Sequence, residues 1–440
     1  MSKIKVVVSA PVDTYSGYGA RSRDFVKALL GLGEYDVKIL SQRWGSTRFG
    51  YLEDHKEHEL KSLIIPKLTS KPDIWIQITI PSEFQAIGTY NIGVTAGIET
   101  TICDVSWLEG CNRMNVVLTS SEHSKAVFEQ TKYTDKKSGK KIELTSPIDV
   151  LFEGADLSTY FKKEGKVEDS EINRTLDSIE ESWCWLFVGH WLQGDHKQDR
   201  KNISWTIEQF LETFKNKKNP PALILKTQHA NASISDRDNL MAKIDKVRAR
   251  ISGTLPNIYL LHGELQDSEI NELYNHPKVK AMVNLTKGEG FGRPLLEFSL
   301  VGKPIVTSAW SGHLDFLNRE YTNLIGGRLE PVHKSAQQKA MILEHSHWFQ
   351  ANEGESRAVM KDVYKNYKHY VEKAKRLRFE TKSNFSLMDM QTLLGNILER
   401  RLPDFPKQVE LSMPSLSLPT LSKSKESSPT LPKLNLPKIK

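Results

Sequence analysis

The chain alternates short apolar runs with amphipathic segments from its first residues onward. Residues 4–10 form an apolar, β-branched run without polar alternation, as expected of a strand buried on both faces of a parallel sheet. Ser16-Gly17-Tyr18-Gly19 follows as a glycine turn, and apolar residues in 21–32 then recur at helical spacing. A strand, a glycine turn and a helix predict the start of a βαβ unit.

This alternation continues in two series along the chain. The first series adds predicted strands at residues 36–40, 73–78, 90–95 and 115–119, and a helix at 120–130. The second series has predicted strands at 185–188, 222–226, 258–261, 281–284 and 304–308, with helices at 203–214, 236–251, 267–274 and 294–300. Helical patterns return at 355–376 and 387–402. The chain is therefore predicted to be an α/β protein with two doubly wound parallel sheets in tandem.

Three segments depart from this pattern. Residues 132–141 are rich in lysine and are predicted to form an exposed loop, and residues 162–181 are polar and charged. Residues 403–440 contain seven Pro, seven Ser and one aromatic residue, which predicts a disordered tail. Regularly placed leucines make this tail a candidate binding segment for an unknown partner, although a solvated tail is the simpler interpretation.

Composition restricts the class of protein. Apolar residues make up 38% and charged residues 26% of the 440 positions, which excludes wholesale disorder. No apolar run approaches the roughly 18 residues of a membrane span, and the N-terminus enters a strand without the apolar core of a signal peptide. The three cysteines form no CxxC pair. Together these features predict a protein of the reducing cytoplasm.

The net charge of +7 is unevenly distributed. Residues 1–170 carry 22 basic and 23 acidic side chains, whereas residues 171–402 carry 33 and 28. The excess in the second part suits a phosphate-bearing ligand at least as well as a nucleic-acid surface. Composition alone does not decide between a phosphate-bearing ligand and a nucleic-acid surface.

The most informative stretch is Gly288-Glu-Gly-Phe-Gly-Arg-Pro-Leu-Leu-Glu297. Pro294 stands where a helix begins, and backbone N–H groups of such a turn form an anion site suited to a diphosphate. Glu289 and Glu297 cannot serve phosphates, but they can accept hydrogen bonds from sugar or ribose hydroxyls. A capped helix with solvated acids is the alternative interpretation. The spacing of the two acids, with Gly312 after the next strand, favours a nucleotide-sugar site.

This stretch resembles the E-x7-E motif of the GT-B glycosyltransferases of retaining family 4. The flanking residues also resemble the family's neighbouring strands and loops, at 261–265 before the motif and at 302–307 and 311–316 after it. Residues 152–161 resemble the family's interdomain segment, and residues 16–19 its N-terminal glycine loop. The amino-acid sequence at residues 189–195 and 310–313 also resembles that of glycosyltransferases encoded by tailed phages.

The resemblance implies the GT-B fold, in which two Rossmann-like domains face each other across a cleft. Residues 1–165 would form the acceptor domain and residues 166–384 the domain that binds the nucleotide sugar. The helix at 385–402 would cross back to the first domain, and 403–440 would remain a tail.

The resemblance also implies roles for individual residues. Glu289 would hold hydroxyls of the donor sugar and Glu297 the nucleotide ribose, while the backbone at residues 290–292 (Gly290, Phe291 and Gly292) would approach the sugar and phosphates. Lys201 would neutralise the leaving diphosphate with help from Arg200, because GT-B enzymes generally use no metal for this. The family's arginine after the first strand of this domain is missing, and either His190 or Arg200 would replace it.

Candidates in the first domain rest on weaker patterns. Gly17 and Gly19 would let the first loop approach the donor phosphate or the acceptor, or they simply make a tight turn. Glu99 and Asp104 follow a predicted strand and would orient an acceptor hydroxyl, although exposed loop acids are common. No metal site is predicted: Asp236 belongs to an Asp-x-Asp pattern but fits the first turn of a helix capped by Ser235.

The resemblance implies transfer of a sugar from a nucleoside diphosphate sugar to an acceptor hydroxyl with retention, without metal or cofactor. The acceptor would be a surface polysaccharide, a lipid-linked glycan or a hydroxymethylated base of phage-type DNA. Five lysines in 132–141 motivate the DNA alternative, and the slightly acidic first domain counts against it. A non-catalytic protein that binds sugar nucleotides or glycans on the same scaffold is the competing class. A phage-encoded enzyme would act in the host cytoplasm.

Overall fold

Two six-stranded parallel sheets follow each other along the chain. The computed structural model describes residues 3–165, 169–229 and 232–405. The predicted tail beyond residue 405 lies outside the described residues. We call residues 3–165 the N-terminal half and residues 169–384 the C-terminal half.

The N-terminal half is built on the first sheet. Its elements are β1 (Ile4–Ala10), α1 (Gly17–Gly31), β2 (Tyr35–Ser41), α2 (Tyr51–Asp54), α3 (His58–Ser62), β3 (Ile74–Ile78), β4 (Tyr90–Thr95), α4 (Val105–Cys111), β5 (Val116–Thr119), α5 (Glu122–Gln130), β6 (Tyr133–Thr134), β7 (Lys141–Ile142) and β8 (Ile148–Val150). The strand order is β2-β1-β3-β4-β5-β8, with every neighbouring pair parallel. Apolar strand residues without alternation fit this arrangement because helices and loops cover both faces.

The C-terminal half repeats the alternation, and a final helix follows it. The elements are α6 (Glu171–Asp177), β9 (Cys184–Val188), α7 (Ile203–Phe214), β10 (Ala222–Lys226), α8 (Ile234–Arg248), β11 (Ile258–Leu261), α9 (Asp267–Asn275), β12 (Val279–Asn284), α10 (Arg293–Ser299), β13 (Ile305–Ser308), β14 (Asn323–Ile325), β15 (Gly327–Pro331), β16 (His347–Ala351), α11 (Glu353–Lys365), α12 (Tyr367–Asn384) and α13 (Leu387–Arg401). The order β11-β10-β9-β12-β13-β14 is that of the Rossmann fold, with a switch point between β9 and β12.

Three local predictions were wrong, and one further helix was not predicted. The lysine-rich segment is not a loop throughout but contains the antiparallel pair β6–β7, which is anchored where the Tyr133 hydroxyl donates to the Cys103 carbonyl over 2.6 Å. The polar segment contains α6, whose N-cap is Ser170. Helix α8 is capped by Ser233 rather than Ser235. The helix predicted at 355–376 divides at Asn366, whose backbone leaves the helical region.

The last helix, α13, belongs to the core of the N-terminal half. Four of its side chains are buried against α1 and the first sheet: Met390, Leu394, Ile397 and Leu398. Its last turn is held by Arg401, whose Nε lies 2.8 Å from Asp149 Oδ2 on β8. The chain reaches this position directly from α12 of the C-terminal half. At the start of α13, the Leu387 amide donates to the Ala155 carbonyl of the N-terminal half over 2.8 Å.

In the part of the chain that the structure describes, no helix is both long and apolar enough to cross a membrane.

The packing of α13 predicts a stability difference between two of its positions. Leu394 is fully buried, so Leu394→Ala should lower the free energy of unfolding by about 2–5 kcal/mol. Met388 lies on the same helix with 65% of its surface exposed, and Met388→Ala should change stability by less than about 0.5 kcal/mol. Urea denaturation of both variants measures the difference. Equal effects would contradict this packing.

Candidate functional site between the two sheets

A glycine-rich turn joins β12 to α10 at the switch point of the second sheet. Gly292 ends the turn with φ +100°, a left-handed conformation that favours glycine, and Pro294 occupies the first turn of α10. The turn also approaches the N-terminal half closely. A Cβ at Gly288 would overlap the carbonyl oxygen of Glu99, and one at Gly290 would overlap that of Ala96. Glycine is therefore required here for contact between the halves.

The same turn is hydrogen-bonded to the N-terminal half. The carbonyl of Gly290 accepts a hydrogen bond of 2.6 Å from the Ser121 hydroxyl at the start of α5. Phe291 points away from the contact into the core of the C-terminal half, where its ring lies 4.9 Å from that of Phe316. The turn residues predicted to approach a sugar and its phosphates thus also connect the two halves.

Glu289 and Lys201 form a buried ion pair beside this turn. Lys201 Nζ lies 2.7 and 2.8 Å from the two carboxylate oxygens, and both residues are less than 9% exposed. The Glu289 backbone is fixed as well, because its amide donates to the Ser311 hydroxyl over 2.8 Å and its carbonyl accepts from Gly312 over 3.0 Å. The two predicted residues therefore meet in one rigid site.

Arg200 adds a second cation to this pair. Its Nη1 lies 3.4 Å from Glu289 Oε2, 2.9 Å from the Gly288 carbonyl and 3.6 Å from Glu99 Oε1. Among the described residues, no hydrogen-bond partner is found for its Nε or Nη2. Glu99, predicted from the N-terminal half, thus joins Arg200 and Lys201 around Glu289.

The electrostatics keep Glu289 ionised. Burial raises the pKa of this carboxyl group, but the charges of Lys201 and Arg200 outweigh burial and lower the pKa to about 2. At neutral pH the group is therefore a carboxylate that only accepts hydrogen bonds.

Glu297 lies in a different environment. Arg293 Nε donates to it over 2.8 Å, the Tyr274 hydroxyl lies 3.4 Å away, and Arg293 also pairs with Asp24 of α1. Burial raises the pKa of Glu297 to about 7, against the opposing charge of Arg293. The sequence interpretation missed Arg293 and Asp24, since the two partners are 269 residues apart in the chain.

A cavity of about 240 Å³ opens beside the turn at the carboxyl ends of β9, β10 and β11. His190 lines it from β9, and its exposed ring places Nδ1 3.2 Å from the His229 carbonyl. Lys226 lines it from β10, where burial lowers its pKa to about 8 and its ammonium donates to the Gly263 carbonyl. Arg23 of α1 closes the cavity from the N-terminal half. The cavity lining therefore includes two cations that the sequence interpretation did not include, Lys226 and Arg23, together with two acids, Glu264 and Asp267.

The remaining predicted residues have structural partners. Gly17 and Gly19 are not in a loop but in the first turn of α1, where the Ser16 hydroxyl caps the Gly19 amide over 2.9 Å. Ser16 itself lines the cavity. Asp104 is the N-cap of α4 and accepts from the amide and hydroxyl of Ser106 over 2.9 and 2.6 Å.

Asp236 is bound to protein groups. His262 Nε2 lies 2.8 Å from its Oδ2, and His229 Nδ1 contacts its Oδ1. Within the described ranges, no group of three His, Cys, Asp or Glu side chains is arranged to hold a metal ion.

Comparison with known proteins places this geometry in a fold family. No family model matches the chain, and no curated protein matches it. Among solved structures, Anabaena Alr3699/HepE in complex with UDP and glucose has a TM-score of 0.60 at 12% identity, covering 90% of this chain and 100% of that one. A glycosyltransferase from Rickettsia africae has a TM-score of 0.61 at 12% identity, with 92% and 100% covered.

A third similar structure is WaaG, a glycosyltransferase involved in lipopolysaccharide biosynthesis. It has a TM-score of 0.56 at 13% identity and covers 89% of this chain and 99% of its own. Identities this low establish architecture only. The chain has the α/β GT-B fold of these glycosyltransferases, with two parallel-sheet halves meeting at the glycine turn.

Proposed function

We propose that this protein is a glycosyltransferase that moves a sugar from a nucleoside diphosphate sugar to an acceptor hydroxyl. The observation that carries the proposal is the buried Lys201–Glu289 pair, with Arg200 beside it, at the switch point of the second sheet. Ligands of open α/β sheets bind at such switch points. A buried carboxylate with two cations offers both groups that a sugar diphosphate needs: an acceptor for hydroxyls and positive charge for phosphates.

The donor would lie across the cavity and the glycine turn. Its nucleoside diphosphate would occupy the 240 Å³ cavity, where Lys226 and Arg23 supply positive charge and Ser16 lies at the helix start. HepE was solved with UDP and glucose, which supports a UDP-sugar as the first donor to test. Glu297 would reach the ribose by exchanging its long contact with Tyr274 for a ribose hydroxyl.

The sugar itself would be held by Glu289 and by the backbone at residues 290–292. Because both Glu289 oxygens accept from Lys201, donor binding would let a sugar hydroxyl share one oxygen while Lys201 turns toward the diphosphate. Arg200 would bind the same phosphates through its Nε and Nη2. His190 lines the cavity, whereas Arg200 Nη1 lies 3.4 Å from Glu289, so we propose Arg200 as the replacement for the family's missing arginine.

We propose transfer with retention by displacement on one face of the sugar. The bond from C1 to the diphosphate oxygen breaks, the acceptor oxygen bonds to C1 from the same side, and the acceptor proton passes to the departing phosphate. Lys201 and Arg200 would stabilise the charge on that phosphate, a role that preorganised cations fill in a water-poor site. With two cations in this position, we expect transfer to proceed without a metal ion.

The acceptor would approach from the N-terminal half. Glu99 is the predicted acceptor residue that lies at the site, 3.6 Å from Arg200, whereas Asp104 caps α4. Assignment to family 4, a phage origin, a cytoplasmic location and the domain limits at residues 165 and 384 stay predictions.

Glu289→Gln should lower turnover about a hundredfold or more. The amide keeps the size of the side chain, but it loses the charge that positions Lys201 and one acceptor of sugar hydroxyls. The measurement is nucleoside diphosphate release from a panel of nucleoside diphosphate sugars.

Glu129→Gln, on the exposed end of α5, is the matched control and should leave release unchanged. Release that survives Glu289→Gln would remove Glu289 from the mechanism. If the wild type is stabilised against heat by a donor that it never cleaves, even with acceptors present, the non-catalytic binding protein becomes the better description.

Binding of UDP should weaken as pH rises through about 8. Lys226 is charged below its pKa of about 8 and neutral above it, so the cavity loses one positive charge over this range. Phosphate groups are already ionised there, since their second pKa is about 6. Titration calorimetry between about pH 7 and pH 9 should show a three- to tenfold loss of affinity, on the order of one charge-assisted contact.

Lys226→Arg is the control for this titration, because arginine stays protonated over the whole range. Its affinity for UDP should be nearly constant between the same two pH values. An equal decline in wild type and variant would assign the pH dependence to another group.

A further inference from the structure

A second cavity, distinct from the donor site, lies on the first sheet. It measures about 520 Å³ and follows the carboxyl ends of β1, β2 and β3. Its floor is one row of side chains across three neighbouring strands: Leu40, Ser9 and Gln77, which the parallel register places side by side. This face is opposite the one that α1 and α13 cover. We call this cavity the sheet groove.

The sheet groove carries polar groups with unused hydrogen-bonding capacity. Within the described part of the chain, no side-chain hydrogen bond is found for Ser9, Gln42 or Gln85, all of which line it. Gln77, in contrast, is fixed by the Glu83 carbonyl over 2.9 Å and the Gln85 amide over 2.8 Å. Amides and hydroxyls that both donate and accept match the hydroxyls of a saccharide.

A partly exposed aromatic ring lines the sheet groove. Trp44 is partly exposed and stacks on Tyr18 of α1, with ring centroids 4.0 Å apart. Its large flat surface, with an indole N–H at one edge, gives a sugar ring an apolar face to lie against and a donor beside it.

The charge of the sheet groove is balanced. Arg43 and Glu83 are the charged side chains that line it, and Glu83 is hydrogen-bonded to the Thr79 hydroxyl. A polyanion such as DNA needs several cations along its path. The groove offers one cation against one carboxylate, which suits a neutral ligand.

The sheet groove is connected to the transfer site through a short series of contacts. Trp44 stacks on the ring of Tyr18. The Tyr18 hydroxyl accepts a hydrogen bond of 3.2 Å from the Ala96 amide. The Ala96 carbonyl in turn lies against Gly290, next to Glu289. A saccharide that occupies the groove would therefore extend along the carboxyl edge of the first sheet toward the donor sugar.

We propose that the sheet groove binds a neutral oligosaccharide, which is the acceptor of the transfer reaction. Trp44 would stack on one ring, and Gln42, Gln85 and Ser9 would bind its hydroxyls. This assignment of the acceptor rests on the proposed function, whereas binding of the oligosaccharide does not require donor turnover.

The test is binding of the full-length protein to an array of neutral and acidic oligosaccharides that also carries duplex DNA with 5-hydroxymethylcytosine. Wild type should be retained by neutral oligosaccharides. Three variants should separate the contacts. Trp44→Ala and Gln42→Ala should each weaken oligosaccharide binding about tenfold. Trp44→Phe keeps a stacking face and should retain most of the affinity. Gln130→Ala, on the exposed end of α5, is the matched control for Gln42→Ala.

Stabilisation against heat by UDP is measured on the same variants and should be unchanged. The proposal is overturned if the protein retains no neutral oligosaccharide, or if it is retained by DNA or acidic oligosaccharides alone. It is also overturned if neutral oligosaccharides bind equally well to wild type, Trp44→Ala and Gln42→Ala. If neutral oligosaccharides bind but no nucleoside diphosphate stabilises the protein against heat, the transferase function is refuted and the groove remains a glycan-binding site.

Discussion

The close approach of the glycine turn to the N-terminal half is the constraint on which the rest of the site depends. Gly288 and Gly290 lie against backbone carbonyls of the other half, and the Ser121 hydroxyl closes the contact. This contact excludes solvent from the Lys201–Glu289 pair and brings Glu99 to Arg200. Burying these charges costs desolvation energy, which the Lys201–Glu289 pairing and the hydrogen bonds to the Glu289 backbone offset.

Two buried carboxylates on one short segment have opposite electrostatic character because of their neighbours. Glu289 is surrounded by two cations and stays ionised, whereas Glu297 shares Arg293 with Asp24 and has a pKa near neutrality, about 7. The motif therefore combines a permanently charged acceptor with a group whose charge depends on its surroundings. Residue identity is the same at both positions, and only the three-dimensional context separates them.

Local periodicity predicted most of the fold, because apolar strands and amphipathic helices of normal length carry a clear signal. The three-residue strands β8 and β14 were missed, since a pattern this short cannot be distinguished from a loop. In the site, Lys201 and Glu289 were predicted from a family resemblance and lie together. Arg23, Lys226 and Arg293 were not, because their importance comes from contacts between segments far apart in sequence.

The position of helix α13 affects how the protein folds during translation. The core of the N-terminal half contains four apolar side chains from residues 390–398, which are synthesised after the whole C-terminal half. At about 5–20 residues per second, translation of the intervening chain takes tens of seconds or less. During that time the first sheet exposes the apolar surface that α13 later covers. The nascent N-terminal half is thus incomplete until the last helix emerges, and a chain truncated before residue 387 would carry that exposed surface permanently.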